Sequence, residues 1–199
     1  MYASAFVLGF HGCDRYVGEK ILRGEEHISQ SGNAHDWLGE GAYFWENNPR
    51  RAIEWAEFIK AHPTWYAKRV EQPFAIGAII DLGHCLDLTE ANSLSILQSG
   101  FNEMKERFSV AGIPIPANEK GNSHDEDLVK RKRDCAAINF LHMLREAQRL
   151  SPYNTVRGAF SEGAPLYEGA GIMAKTHVQI AVRSPSSIRG YFRPIVRGD

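Results

Sequence analysis

Trp37-Leu38-Gly39-Glu40-Gly41-Ala42-Tyr43-Phe44-Trp45 sets two glycines in front of a cluster of aromatic residues. Gly41 to Trp45 reads as a short strand, and successive side chains on a strand point to opposite faces. Tyr43 and Phe44 therefore divide. One enters the core, and the other faces a cleft, where its flat ring can meet a planar ligand. Core packing alone accounts for Phe44. Gly39 and Gly41 lack the third glycine of a dinucleotide fingerprint, and the next helix opens only at Asn48. There is no Walker loop.

Upstream, Ser4 to His11 is a mostly apolar run that ends in Gly9-Phe10-His11-Gly12 and reads as a buried strand. Histidine brings two ring nitrogens, and glycine beside it lets a ligand approach the backbone; a histidine can also simply end a strand. Asp14 caps a short helix over Arg15 to Leu22, which Gly24 ends, and residues 25–36 form a polar loop.

Downstream, Asn48-Pro49 is an N-cap followed by proline at the first helical position. Ala52, Ile53, Ala56 and Ile59 then make an apolar helix face. Phe74 to Leu82 predicts a central strand, and Leu88-Thr89 opens a helix through about Phe108. Residues 112–125 predict a long loop. Asp125 is expected to cap a helix from about Glu126 to Leu150, with Val129, Ile138, Leu141 and Leu144 on its apolar face. Tyr153 to Phe160, His177 to Val182 and Ile188 to Phe192 read as strands, with a glycine-rich loop at 161–174. Helices in the middle and three strands at the end favour α+β over a doubly wound sheet.

A chain of 199 residues suits one domain, 1–199. With 43% apolar and 24% charged residues it is not a disordered chain. A net charge of -1 supplies no global field toward nucleic acid or anionic lipid. No run approaches the roughly 20 apolar residues of a membrane span, and the start lacks signal-peptide features. Cys13, Cys85 and Cys135 are too few and too far apart for a disulfide framework or a zinc site. The expectation is a cytoplasmic protein without membrane contact or metal. His84 beside Cys85 lacks a second ligand pair. His142, among apolar positions, reads as a satisfied core histidine. Lys130-Arg131-Lys132-Arg133 reads as a solvated helix face, or as a contact for the phosphates of a nucleic-acid acceptor.

Taken together, Leu8-Gly9-Phe10-His11-Gly12 and Leu38-Gly39-Glu40-Gly41-Ala42-Tyr43-Phe44, on to Ala52, resemble the ADP-ribosyltransferase superfamily in its branch related to poly(ADP-ribose) polymerases. That branch has His-Gly at the end of its first strand, then a short helix and loop, a Gly-x-Tyr-Phe strand and a helix carrying alanines. About a quarter of the chain carries the resemblance. It implies a split β-sheet core with flanking helices, and NAD as co-substrate. Gly12 would hold the nicotinamide carboxamide through its backbone, His11 would hydrogen-bond the adenosine ribose, and Tyr43 would stack on the nicotinamide. Cleaving the nicotinamide–ribose bond leaves a positively charged, oxocarbenium-like sugar that the enzyme must stabilise.

In the family that task falls to a glutamate on a late strand. Counting back from Ile188, the position is held here by Gln179, which can bond the ribose hydroxyls but has no charge. Glutamine there also suits a non-catalytic NAD- or ADP-ribose-binding module. Glu162, in the segment that faces the acceptor in the family, would replace the missing charge or act as base on the acceptor. Glu168 lies in the same segment, and either residue reads equally as an exposed loop carboxylate. Arg157, beside Gly158, would pair with the NAD pyrophosphate or else with a carboxylate. The activity implied is transfer of a single ADP-ribose to a macromolecule, protein or nucleic acid, with NAD hydrolysis as the outcome if water reaches the cleft first. RNA phosphotransferases share the His-Gly start but lack the Gly-x-Tyr-Phe strand. Family habit implies a toxin or defence effector, with an antitoxin or chaperone as partner.

Overall fold

The computed structural model of the chain describes residues 6–65, 69–121 and 127–195. Among these, seven strands form one mixed sheet. β1 (Phe6–Asp14) leads into α1 (Arg15–Leu22), β2 (Ala42–Glu46) into α2 (Pro49–Ala61), and β3 (Pro73–Asp81) into the short β4 (Cys85–Asp87). α3 (Ala91–Ala111) and α4 (Lys132–Ala147) follow, and β5 (Thr155–Phe160), β6 (His177–Val182) and β7 (Ile188–Phe192) complete the sheet. The strand order is β4-β5-β6-β2-β1-β3-β7. β4 and β5 run parallel and every other neighbouring pair is antiparallel. The α+β expectation holds.

Local chemistry sets the early elements. The Asp14 carboxylate accepts the Tyr16 N–H at 2.8 Å and so caps α1. Asn48 caps α2 in the same way through the Arg51 N–H, with Pro49 at the first helical position. The two faces of the sheet are covered differently. Cys13, Phe44, Ile76, Ile80, Ile180 and Val182 point to one face, where α1 contributes Ile21. Phe10, Trp45 and Ala75 point to the other, under Ala52 of α2. Further along that second face, Val156 and Ala181 lie under Leu38 and under Ile138 and Leu141 of α4. Phe44 is fully buried, a burial worth about 1.5–3 kcal/mol. Tyr43 and Phe44 do divide between the faces.

The sheet is nearly parted at one point. β1 and β3 pair through nine residues, Phe6 to Asp14. β1 and β2 pair only at Gly9↔Glu46 and Phe10↔Trp45. Beyond Phe10 the two strands are joined by no ladder, which leaves a seam inside an otherwise continuous sheet.

Several boundaries differ from those predicted. Ser4, Asp125 and Glu126 lie outside the described residues. The helix expected from about Glu126 begins at Lys132. Val129 and Lys130 are committed elsewhere: the Val129 carbonyl accepts the Trp37 indole N–H at 2.8 Å, and Lys130 forms a β-bridge with Glu119. The same helix stops at Ala147, short of Leu150, where Arg149 takes a φ of 56°. Leu88-Thr89 does not open α3. The Asp87 side chain turns the chain there by accepting the Thr89 N–H and O–H. Of the basic run, Lys132 and Arg133 open α4, while Lys130 and Arg131 precede it. Arg131 stacks on Trp37 and Phe160, Lys132 pairs with Glu119, and Arg133 donates to the Pro116 carbonyl.

Candidate functional site: a seam and a braced carboxylate

The seam brings the two sequence motifs together. The His11 ring reaches across it, with Nδ1 2.8 Å from the Tyr43 carbonyl. A carbonyl only accepts, so this nitrogen carries the proton. The Leu8 carbonyl accepts the Asn47 N–H, so the backbone of residue 8 points toward β2. Strand alternation turns the backbone of Gly12 the same way, and past the last β1/β2 pair its N–H and C=O face the seam. Gly12 also has a packing role. A Cβ there would fall on the Ala52 carbonyl oxygen of α2, so a bare backbone is what lets the helix lie against the strand.

The Tyr43 side chain lies on the α2/α4 face, packed against the cluster of Leu38, Ile138 and Ala181. Its hydroxyl donates to the Gly39 carbonyl at 2.6 Å and accepts the Leu38 N–H at 2.8 Å. Burial pushes the phenol well above its ordinary range, which keeps it protonated. Gln179 stands opposite Trp45 on one side and Gly158 on the other, on the α2/α4 face with Tyr43. The His11 ring lies on the opposite face, edge-on to Phe44.

Glu162 is not a loose loop charge. Its side chain is 20% exposed and its Oε2 lies 3.2 Å from the Arg51 guanidinium and 3.7 Å from His177 Nδ1. The segment expected as a glycine-rich loop closes on itself as a hairpin. The Lys175 N–H donates to the Glu162 carbonyl, Ala174 to Ala164, and Leu166 to Ile172. Asp127 holds the turn by accepting the Gly163 N–H at 2.7 Å. Glu168, by contrast, is exposed. His177 Nδ1 lies 2.6 Å from the Lys175 carbonyl, so this nitrogen is the protonated one. Burial lowers the His177 pKa, against the Lys175 carbonyl and Glu162, which raise it. The ring is neutral and leaves Nε2 as a bare acceptor.

Arg157 takes the second of its two predicted partners. It forks onto Glu46 at 2.6 and 3.0 Å and reaches Asp87 at 3.0 Å. It stands opposite Ile180, on the face turned away from Glu162, and its charge is paired with these two carboxylates. His142 is buried as expected but not satisfied, since neither ring nitrogen has a partner. Burial, then Arg183 and Arg145, lower its pKa to about 3. His84 Nδ1 donates to the Pro152 carbonyl at 2.9 Å, and among the described residues no three His, Cys, Asp or Glu side chains cluster as metal ligands.

Sequence reading missed Arg51 and His177. His177 shares a strand face with Gln179 by simple alternation, a signal that was available. Arg51 was not legible, because its partner Glu162 is 111 residues away. Comparison with protein-family models, with curated proteins and with solved structures finds no match. The site therefore speaks through its own chemistry: backbone polar groups and an imidazole ring at a seam, an amide beside them, and a carboxylate fixed against a cation two strand positions further along.

Proposed function

We propose that this chain is an NAD-dependent mono-ADP-ribosyltransferase that places a single ADP-ribose on a macromolecule. The observation that carries the reading is the seam, where the His11-Gly12 and Tyr43 motifs meet through the His11–Tyr43 bond. In this reading the Gly12 backbone holds the nicotinamide carboxamide and the Tyr43 ring packs on the nicotinamide. His11 bonds the adenosine ribose, and Gln179 bonds the hydroxyls of the reacting ribose. The acceptor oxygen or nitrogen attacks C1′ of that ribose. The C1′–nitrogen bond breaks and its electron pair leaves with nicotinamide. The acceptor proton passes to the Glu162 carboxylate, as in general base catalysis.

One observation favours a second reading. Gln179 is uncharged where a carboxylate would best stabilise the developing cation, and that suits a module that binds NAD or ADP-ribose without turnover. NAD labelled on its adenylate part, incubated with the purified protein and a bacterial lysate, separates the two. Label in the protein or the nucleic-acid fraction supports transfer and names the acceptor class. Free ADP-ribose alone means hydrolysis. Intact NAD that nevertheless binds the protein means the module.

A further inference from the structure

Two elements converge on one carboxylate oxygen. Arg51, from the first turn of α2, lies 3.2 Å from Glu162 Oε2, and His177, from the start of β6, lies 3.7 Å from the same atom. Arg51 is itself held by Glu54 at 2.9 Å, and His177 by the Lys175 carbonyl. The backbone of residue 162 is fixed by Lys175. A side chain that only decorated a loop would not be braced from a helix, a strand and its own hairpin at once. The surroundings are also incompletely satisfied. Arg51 Nε and His177 Nε2, on the two groups that brace Glu162, are buried without partners among the described residues. Leaving each such group unpaired costs about 1–3 kcal/mol.

We infer that Arg51 and His177 are positioning residues that hold Glu162 as the base taking the acceptor proton. The inference rests on the transferase reading and adds to it the two groups that aim the base. Arg51 fixes the carboxylate by its charge and by one hydrogen bond to Oε2. His177 blocks its rotation toward β6 while staying neutral, so that it does not compete for the proton. The charged and titratable groups around Glu162 are Arg51 and Glu54 from α2, His177 from β6, Lys175 from the hairpin, and Asp127 and Arg131 ahead of α4.

The test is steady-state NAD turnover by the full chain, read as nicotinamide release in the presence of lysate. NAD affinity and thermal unfolding are measured beside it. Glu162→Gln is expected to lower kcat by about 100-fold or more, in the range of a lost general base. Arg51→Gln should lower kcat by about 10- to 100-fold with KM for NAD unmoved, the pattern of an interaction made only in the transition state. Arg51→Lys should recover part of that loss, since it keeps the charge beside Glu162. His177→Asn, which keeps a donor for the Lys175 carbonyl, should retain more activity than His177→Leu. If the wild type turns NAD over while Arg51→Gln leaves kcat unchanged, or loses activity only in step with its folded fraction, the brace is refuted and the transferase reading stands. If the wild type consumes no NAD, both fall together.

Discussion

Two arginines of this protein each bridge a pair of carboxylates, and they do so on opposite faces of one sheet. Arg157 forks onto Glu46 and reaches Asp87, with a further bond to the Thr89 hydroxyl. Arg51 gives one bond to Glu54 and one to Glu162, and its Nε has no partner. The contrast extends beyond the two residues. Every unpartnered buried side-chain nitrogen among the described residues, in Trp45, Arg51, Arg131, His142 and His177, lies on the α2/α4 side. On the α1 face the buried Thr155 hydroxyl finds the Leu82 carbonyl at 2.7 Å. A face whose polar groups are all paired is built for stability. A face that retains unpaired ones gives up about 1–3 kcal/mol at each.

Removing Arg157 tests the paired face most severely. Arg157→Ala leaves Glu46 and Asp87, with side chains only 12% and 24% exposed, facing each other without a cation. The expected loss is about 3 kcal/mol in urea unfolding at pH 7, the low end for breaking a buried pair. Arg157→Lys should restore little, because it cannot fork. Acid sensitivity gives an independent check. Burial pulls the Asp87 pKa upward, but its bonds to Thr89 and the Arg157 charge outweigh this and hold it below the ordinary value. A carboxylate depressed in the folded state contributes stability above its unfolded pKa, and loses it as pH falls through the folded value. Arg157→Ala should therefore unfold at a less acidic pH than the wild type. A loss under 1 kcal/mol would remove the distinction between the faces.

Gly12→Ala probes the seam at a somewhat smaller cost. The added methyl meets backbone, the Ala52 carbonyl, so neither side can yield by rotating a side chain. Overpacking of this kind costs about 1–3 kcal/mol, and the variant should melt earlier even in the absence of NAD. An unchanged melt with weakened NAD binding would mean that the glycine serves the ligand and not the helix.

Much of this was readable in the chain. The caps Asp14 and Asn48 and the alternation of β2 are local signals, and each appeared where predicted. The start of α4 was not readable, because the competitors for its backbone, Trp37 and Glu119, are brought there by tertiary contact. The three-residue β4 is too short for a period to show, and only its parallel neighbour β5 defines it. At the site, motif residues that were adjacent in sequence were found from sequence. The Arg51–Glu162 and Arg157–Glu46 pairs, each 111 residues apart, were not.

His142 offers a titration that the paired face should not show. Its folded pKa of about 3 lies below the ordinary value of an imidazole in water. The unfolded chain therefore takes up this proton first as pH falls, and stability drops by about 1.4 kcal/mol per pH unit below roughly pH 6.5. His142→Leu should flatten that slope in urea unfolding between pH 7 and pH 5. The residual slope belongs in part to His177, which burial shifts in the same direction. A variant as steep as the wild type would mean that the ring gains a partner in solution.

Arg51→Ala should have the smallest effect on stability, and for that reason it sharpens the comparison most. By exposure alone, Arg51 and Arg157 ought to matter equally, with side chains 16% and 20% exposed. Their partners differ. Glu54 is 40% exposed and also lies 3.4 Å from Arg50, so it can turn to solvent when Arg51 is removed. The substitution also takes away an unsatisfied buried Nε, which returns part of what the ion pair supplied. The net change expected in urea unfolding is within about 1 kcal/mol of the wild type, against about 3 kcal/mol for Arg157→Ala. A similar loss at both positions would make Arg51 a second structural clamp. Near-neutral stability together with the loss of turnover expected of a positioning residue would show the two arginines doing different work with the same chemistry.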